Sequence, residues 1–150
     1  MSQLQESLDT VVSSAANAGL KINTTKTKTM VFGTPEQNFK LETGGEEIED
    51  VDEFIYLGSL ITKDNNCSKE INRRIALASG TVAGFKKVLN STSITIGTKL
   101  KILNTCVFSV LLYACETWTI KKKDRRRIES FEMKCYRDIL NIRWYHRITN

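Results

Sequence analysis

The feature of this sequence that most restricts its fold is a change of hydrophobic periodicity after Asn66. From there onward, apolar residues recur at spacings of four and three, which is the repeat of an amphipathic helix. Three such stripes follow one another: Ile71, Ile75, Ala78, Val82, Phe85 and Leu89; Leu100, Leu103, Val107, Val110, Ala114 and Trp118; Ile128, Phe131, Cys135, Ile139 and Ile142. Because short polar connections join the stripes, we predict a three-helix bundle.

The residues before this change show the patterns of one helix and several short strands. One helical face carries Leu4, Leu8, Val11 or Val12, and Ala15. Gly19 suits the left-handed position that ends a helix. Further strands are predicted at residues 26–33, which stop at Gly33-Thr34-Pro35, at residues 39–42 and 46–49 around Gly44-Gly45, and at residues 53–61. We therefore predict an α+β fold, with one N-terminal helix and small antiparallel hairpins in residues 1–62 and the helical domain in residues 63–150.

Composition excludes several classes of protein. The first ten residues are polar and lack the apolar core of a secretory signal. The most apolar stretch, residues 106–115, is shorter than the roughly 20 residues that span a bilayer. The four cysteines form no C-x-x-C pair, so we expect buried, reduced thiols and no zinc site. An intracellular location, nuclear or cytoplasmic, is the expectation.

Charge is distributed unevenly along the chain. Residues 1–60 contain 4 basic and 10 acidic side chains, whereas residues 61–150 contain 18 basic and 7 acidic ones. A basic half of this kind is typical of a surface that meets phosphates. A solvated helical surface rich in lysine and arginine explains the charge equally well.

Four segments resemble the reverse transcriptases of non-LTR (LINE-type) retrotransposons. Residues 19–30 (GLKINTTKTKTM) are similar to motif D, with its G-L-x-x-N-x-x-K-T-x-x-M pattern. Residues 53–61 (EFIYLGSLI) resemble motif E, the primer grip, with its F-x-Y-L-G core. Residues 70–76 (EINRRIA) and 111–118 (LLYACETW) are similar to the thumb. The segments follow the family's order and spacing, so the resemblance implies the end of the palm followed by the thumb.

The resemblance implies roles for individual residues. Lys26 matches the motif D lysine, which in an intact enzyme helps to protonate the leaving pyrophosphate or positions the incoming nucleotide; a surface lysine is the alternative. Tyr56, Leu57 and Gly58 match the primer grip, a tight hairpin that braces the 3′ end of the primer. Gly58 would let the backbone approach the sugar-phosphate closely. Phe54 is predicted to lie in the core, and for Tyr56 the core and the primer remain alternatives.

The thumb of the family lies along the template-primer duplex, so the resemblance assigns backbone contacts to the basic residues of this half. They are Lys69, Arg73, Arg74, Lys86, Lys87, Lys99, Lys101, Lys121, Lys122, Lys123, Arg125, Arg126 and Arg127. Lysine and arginine neutralise phosphates without reading bases, as a polymerase requires. Arg73 and Arg74 sit beside the Ile71-Ile75 stripe and are expected to be free to face a ligand, whereas residues 121–127 alternatively form a solvated helix start.

The C-terminal segment after the third stripe combines aromatic and arginine side chains. Trp144, Tyr145 and His146 lie between Arg143 and Arg147. Such a segment can stack on bases, although a tail packed against the bundle is at least as good an explanation. We assign no catalytic role to His146.

The residues that the family uses for catalysis are missing from the sequence. Reverse transcriptases bind two divalent metal ions, Mg²⁺ in the usual case, through aspartates of motif A and of the Tyr-x-Asp-Asp of motif C. No Asp-Asp pair occurs here. In the family, motif C lies just upstream of the helix that opens this chain, so we expect a fragment that holds no metal and is inactive alone.

Three functional hypotheses follow from the sequence. The chain is a retrotransposon fragment that retains the grip of a thumb on an RNA–DNA template-primer duplex or another nucleic acid. Alternatively, it is an enzyme part that regains activity when joined to the missing palm and fingers. The third possibility is a decayed or repurposed helical remnant that binds a protein partner. In the isolated fragment, an exposed palm surface that includes Ile22, Met30 and Phe32 predicts self-association.

Overall fold

The computed structural model describes residues 2–33, 40–146 and 148–149 of the chain. It divides into two compact units. The first comprises Met1–Tyr56 and Leu60–Asn65, and the second comprises Leu57–Ser59 and Asn66–Asn150. The predicted α+β class is confirmed, because one helix and short strand pairs precede several helices.

In its described residues, the first part of the chain contains helix α1 and six short strands. Their bounds are α1 Ser2–Asn17, β1 Lys28–Thr29, β2 Glu42–Thr43, β3 Glu46–Glu47, β4 Glu49–Asp50, β5 Glu53–Tyr56 and β6 Ser59–Thr62. Strand β2 pairs with β3 in antiparallel register, and β5 pairs with β6. Strand β1 pairs with β4 in parallel, with Lys28 opposite Glu49, although the expected pairs were antiparallel hairpins. The strand predicted over residues 26–33 is reduced to Lys28–Thr29.

Helix α1 ends where the sequence predicts, at a glycine in the left-handed conformation. Gly19 has a φ of 74°, its N–H donates to Ala16 O at 3.0 Å, and Leu20 N–H donates to Ala15 O at 2.8 Å. These two bonds form a Schellman motif, which satisfies carbonyls that a helix end leaves without partners. The helix is therefore terminated by local geometry rather than by packing.

The partly buried face of α1 runs through Gln5, Leu8, Val12 and Ala15. Gln5 fixes this face to β2, because its Nε2 donates to Glu42 O at 2.8 Å and its Oε1 accepts from Glu42 N at 3.1 Å. Leu4 and Val11 are exposed, so the helical stripe passes through Val12 and the predicted place of Leu4 in it is wrong.

The buried part of the first unit is small. Leu41 and Ile48 are 7% and 4% exposed, and they are joined by a hydrogen bond from Ile48 N to Leu41 O. The predicted turn at Gly44-Gly45 is confirmed, since both glycines have positive φ between β2 and β3. The predicted strand start at Phe39 and the stop at Thr34-Pro35 lie outside the described residues.

The second unit is helical. Its elements are α2 Ser68–Gly84, α3 Lys86–Leu89, α4 Ile96–Ile102, a π-helix at Leu103–Phe108, α5 Ser109–Leu111, a 3₁₀ turn at Cys115–Thr117, α6 Lys122–Ile139 and a 3₁₀ turn at Trp144–His146. Together they form three helical segments around one core, as the sequence predicts. The buried core contains Ala78, Leu89, Leu103, Val107, Leu111, Phe131, Cys135 and Ile139. Each predicted stripe supplies at least two of these residues, so the helical periodicity placed the core correctly.

The second stripe ends earlier than its apolar pattern indicates. Helix α5 stops at Leu111, and Ala114 has a φ of 60°, in the left-handed region. Trp118 follows in an extended conformation, so the expectation that it continues the helix is wrong. Its indole N–H is buried without a hydrogen-bond partner in the described structure.

The expectation of buried thiols is correct for one cysteine. Cys135 is 3% exposed and lies in the core, whereas Cys67, Cys106 and Cys115 are half-buried. All four are free thiols.

Candidate nucleic-acid interface

The segment that resembles the primer grip folds as a tight turn. The single strand expected over residues 53–61 is divided into β5 and β6 by Leu57-Gly58, whose φ angles are 47° and 81°. Positive φ at both central residues is the conformation of a type I′ hairpin turn, which matches the right-handed twist of paired strands. The chain therefore reverses direction within two residues.

The side chains of this segment are exposed. Tyr56 is 58% and Leu57 is 75% exposed. Phe54 is 37% exposed, so the prediction that it lies in the core is wrong. All four residues of β5 are exposed, because nothing in the described structure covers either face of this strand. For Tyr56, the exposure excludes the core alternative.

A buried carboxylate lies beside this turn in the second unit. Glu70, on α2, is 2% exposed. Its Oε2 accepts from Arg73 Nε at 2.7 Å, and its Oε1 accepts from Arg74 Nε at 2.6 Å and from Arg73 Nη2 at 3.1 Å. A buried charge is tolerated when it is paired and hydrogen-bonded. Spacings of three and four place both guanidinium groups on the same side of α2 as Glu70.

Both arginines also bind the backbone of the turn. Arg73 Nη2 donates to Gly58 O at 2.5 Å, and Arg74 Nη2 donates to the same oxygen. Tyr113 Oη donates to the preceding carbonyl, Leu57 O, at 2.9 Å, and its ring centroid lies 4.4 Å from Arg74 Cζ. The two carbonyls of the turn are thus held by three side chains.

The expectation that both arginines are free to face a ligand is wrong for Arg74, which is 6% exposed. Its Nε and Nη2 are engaged by Glu70 and Gly58, because the side chain folds inward under the turn. Arg73 is half-buried and shares the same partners.

The requirement for glycine at position 58 is conformational. A Cβ built on Gly58 would meet Tyr113 Cε1 at 3.7 Å, an ordinary van der Waals distance. Within the described residues a side chain therefore has space there, and the φ of 81° is what disfavours it.

A second candidate surface lies on the first half of α6. Lys122, Lys123, Arg126, Arg127 and Ser130 line one open depression. Lys122, Lys123 and Arg126 are exposed and form no ion pair with any described residue. Arg127 donates to Asp124 Oδ1 at 3.2 Å. This arrangement brings together four of the predicted phosphate-contacting residues.

The start of α6 concentrates positive charge further. Lys121 is the N-cap residue, and none of the described side chains forms a capping hydrogen bond with the helix. Free backbone N–H groups and the helix dipole favour an anion at this end, while lysine and arginine are electrostatically disfavoured there. The exposed side chains of Lys122 and Lys123 are therefore donors that an anionic ligand could reach at this helix end.

The remaining predicted residues are spread over the molecule. Exposed basic side chains comprise Lys69, Lys86, Lys87, Lys101, Lys121 and Arg125. Lys99 is 7% exposed, so it does not belong to the exposed basic surface as predicted. Lys26 is exposed in the first unit, where its N–H donates to Asn23 Oδ1 at 3.0 Å in a local turn. In the C-terminal segment, Tyr145 and His146 pack edge to face at 4.5 Å. The Trp144 side chain and Arg147 lie outside the described part.

Glu70 and Tyr113 were not predicted from the sequence as site residues. The pairing of Glu70 with Arg73 and Arg74 was available as a signal, because glutamate followed by cations at i+3 and i+4 forms ion pairs on a helix. Tyr113 gives no such signal, since its partner is a backbone carbonyl remote in sequence.

Three or more histidine, cysteine, aspartate or glutamate side chains come together nowhere in the described residues in a way that could hold a metal ion. No helix in the described part of the chain combines the length and apolar character needed to cross a membrane.

Comparison with known proteins gives one informative similarity. The chain is 31% identical over 147 residues to an uncharacterized transposon-derived protein of Caenorhabditis elegans. The similarity covers 90% of the chain and 49% of that relative, so the chain spans about half the length of the curated relative that it matches. No protein-family model and no solved structure matches the chain. The similarity points to a transposon-related origin.

Proposed function

We propose that the chain corresponds to the palm end and thumb of a non-LTR reverse transcriptase and that its helical unit grips the backbone of an RNA–DNA template-primer duplex. Two similarities of the sequence support this. The motif D, motif E and thumb segments occur in the family's order, and the relative in Caenorhabditis elegans is transposon-derived.

The observation that carries the proposal is the basic depression on α6. Three exposed cations without an ion pair among the described residues, together with Arg127, line one shallow, open depression on the first half of α6. A solvated helix face explains exposed lysines singly, but it does not explain four cations on one surface, two of which, Lys122 and Lys123, lie in the first turn, where the helix dipole disfavours them. A phosphate backbone lying along this depression would compensate the repulsion.

The grip needs no base recognition. Lysine and arginine contacts to phosphates fix a duplex in place without reading its sequence, and they release counterions on binding. We therefore propose a role in binding the backbone, which the basic side chains of the helical unit can supply.

The test is binding of the purified chain to a primed RNA–DNA duplex at several salt concentrations, comparing wild type with Lys122→Gln/Lys123→Gln. The matched control, Lys21→Gln/Lys40→Gln, removes the same charge from the first unit. Losing two phosphate contacts should reduce the magnitude of the slope of log K against log[salt] by about 2, and the control should leave it near the wild-type value.

Equal effects of the two double variants would show that only net charge matters, and this would contradict a specific site on α6. Absence of binding by the wild type at low salt would refute the proposal and favour a repurposed protein-interaction remnant.

A further inference from the structure

The network beneath the Leu57-Gly58 turn contains more charge than stability alone requires. Glu70 is buried with Arg74, and Arg73 completes the cluster. Replacing buried ion pairs by apolar residues of similar volume is often neutral or stabilising. The cluster is therefore better explained by the backbone carbonyl to which its arginines donate than by the ion pairs themselves.

What the donors reach is a single backbone oxygen. Two guanidinium groups converge on Gly58 O, which uses the full acceptor capacity of a carbonyl. Glu70 binds the Nε of each arginine and so fixes the direction of both side chains. The carboxylate thus orients the arginines, and the arginines orient the turn.

Tyr113 adds a third, uncharged point of attachment. It is half exposed, yet its hydroxyl is directed at Leu57 O and its ring packs against the Arg74 guanidinium. Consecutive carbonyls are therefore held from two separate segments of the helical unit. Leu57 and Gly58, both at positive φ, cannot rotate without breaking one of these bonds.

We infer that Arg73, Arg74 and Tyr113 are positioning residues, which hold the Leu57-Gly58 turn in the geometry in which it meets a nucleic-acid backbone. Arg74 does not itself neutralise a phosphate. The inference rests on the proposed function, since it assigns to these side chains an indirect part in the same grip. It reverses the expectation that the Arg73-Arg74 pair faces the duplex.

Salt dependence separates a positioning residue from a phosphate contact. In the duplex-binding assay, Arg74→Gln should weaken binding about tenfold, because a charged hydrogen bond is lost, while the salt slope stays at the wild-type value. Tyr113→Phe changes no charge and removes one hydroxyl, so it should weaken binding about threefold with the same slope. A fall of about 0.9 in the slope magnitude for Arg74→Gln would overturn the inference.

Arg74→Lys provides a second discrimination. Lysine restores the charge, but it lacks the planar fork that reaches Glu70 and Gly58 together. A positioning role predicts an affinity close to that of Arg74→Gln. Recovery of wild-type affinity by Arg74→Lys would show that charge alone is needed and would overturn the inference.

Hydrogen–deuterium exchange without nucleic acid makes failure of the positioning role distinguishable from failure of the proposed function. Exchange in a peptide covering residues 56–60 should accelerate in Arg74→Gln and in Tyr113→Phe, whereas Lys122→Gln should leave it unchanged. Unchanged exchange in both turn variants would overturn the positioning role even if the duplex binds. Accelerated exchange combined with no duplex binding by the wild type would show that these side chains hold the turn, and it would refute the proposed binding of the duplex. Tyr113→Phe keeps the assay informative if the Arg74 variants do not fold.

Discussion

At the scale of single residues, the candidate interface depends on backbone conformations that most side chains avoid. Leu57 and Gly58 both occupy the left-handed region, and Leu57 does so with a full side chain. That conformation costs a non-glycine residue roughly 1–2 kcal/mol. The hydrogen bond from Tyr113 to Leu57 O offsets part of this cost at Leu57, and glycine avoids it at position 58, whose carbonyl binds Arg73 and Arg74.

Substitution of Gly58 tests whether conformation or space is the constraint. Gly58→Ala should lower the free energy of unfolding by about 1 kcal/mol, whereas Gly58→Asn should have a smaller effect, because asparagine tolerates positive φ. Urea unfolding of the two variants measures the difference. If asparagine, the larger side chain, were the more damaging one, steric contact would be the true constraint.

The buried thiol of Cys135 should make the free energy of unfolding depend on pH. Burial, followed by the nearby Asp138 carboxylate, raises the pKa of Cys135 from 9.0 to about 11. As the pH rises from 9 to 11, the unfolded chain loses the thiol proton before the folded chain does. The unfolded state then binds fewer protons, so the free energy of unfolding falls. Below pH 9 the thiol is protonated in both the folded and the unfolded state, so its full contribution to the free energy of unfolding is present.

Wild type should therefore lose about 2 kcal/mol between pH 9 and 11 relative to Cys135→Ala. Denaturant unfolding of both proteins across this range measures the loss. Parallel pH profiles for the two proteins would contradict the assigned cause.

At the scale of elements, helices α2 and α6 are joined at their first turns by polar contacts. Asp124 is 1% exposed, and its Oδ2 accepts from Ser68 Oγ at 2.7 Å. Lys121 Nζ donates to Asn66 Oδ1 at 3.1 Å. An acidic residue in the first turn also suits the helix dipole, so Asp124 stabilises the helix end that presents the basic depression.

Asp124→Ala should destabilise the protein by about 1–3 kcal/mol, because Ser68 and Arg127 lose their acceptor. Ser68→Ala should cost about 1 kcal/mol. A double-mutant cycle measured by urea unfolding should give a coupling energy above about 0.5 kcal/mol. Strictly additive effects would mean that the bond between the two helix starts contributes nothing.

The elements differ in how far the sequence determined them. Stripes at helical spacing predicted the core of the second unit, since burying one face is the main demand on such helices. The same pattern misled at Ala114, where apolar residues continue although the backbone turns to positive φ. The turn within residues 53–61 could not be predicted, because β-forming residues flank it and its first central position is a leucine. Arg74 appeared exposed from its position beside the stripe, since its partners Gly58 and Tyr113 are brought near only by the fold.

At the scale of the whole molecule, the first unit leaves considerable apolar surface uncovered. Leu4, Val11, Leu20 and Phe32 are between 53% and 67% exposed. Ile22 and Met30, which were also expected to be exposed, are half-buried. Exposed apolar side chains in this number favour association with a further surface.

We expect the chain to self-associate through this surface. Leu4→Gln/Val11→Gln should shift the equilibrium toward monomer in sedimentation velocity experiments, because it removes two exposed apolar side chains from α1. The matched control Ser13→Gln/Ala16→Gln changes exposed positions of the same helix and should leave the equilibrium unaltered. A wild-type chain that sediments as a monomer at high concentration would contradict this expectation.

The central claim, a grip on nucleic-acid backbone by the basic helical unit, is tested most directly by the salt dependence of wild-type binding to a primed RNA–DNA duplex. Four cations in the α6 depression predict that log K falls against log[salt] with a slope of about −3.6 or steeper. A slope near zero, or no binding at low salt, would contradict the claim.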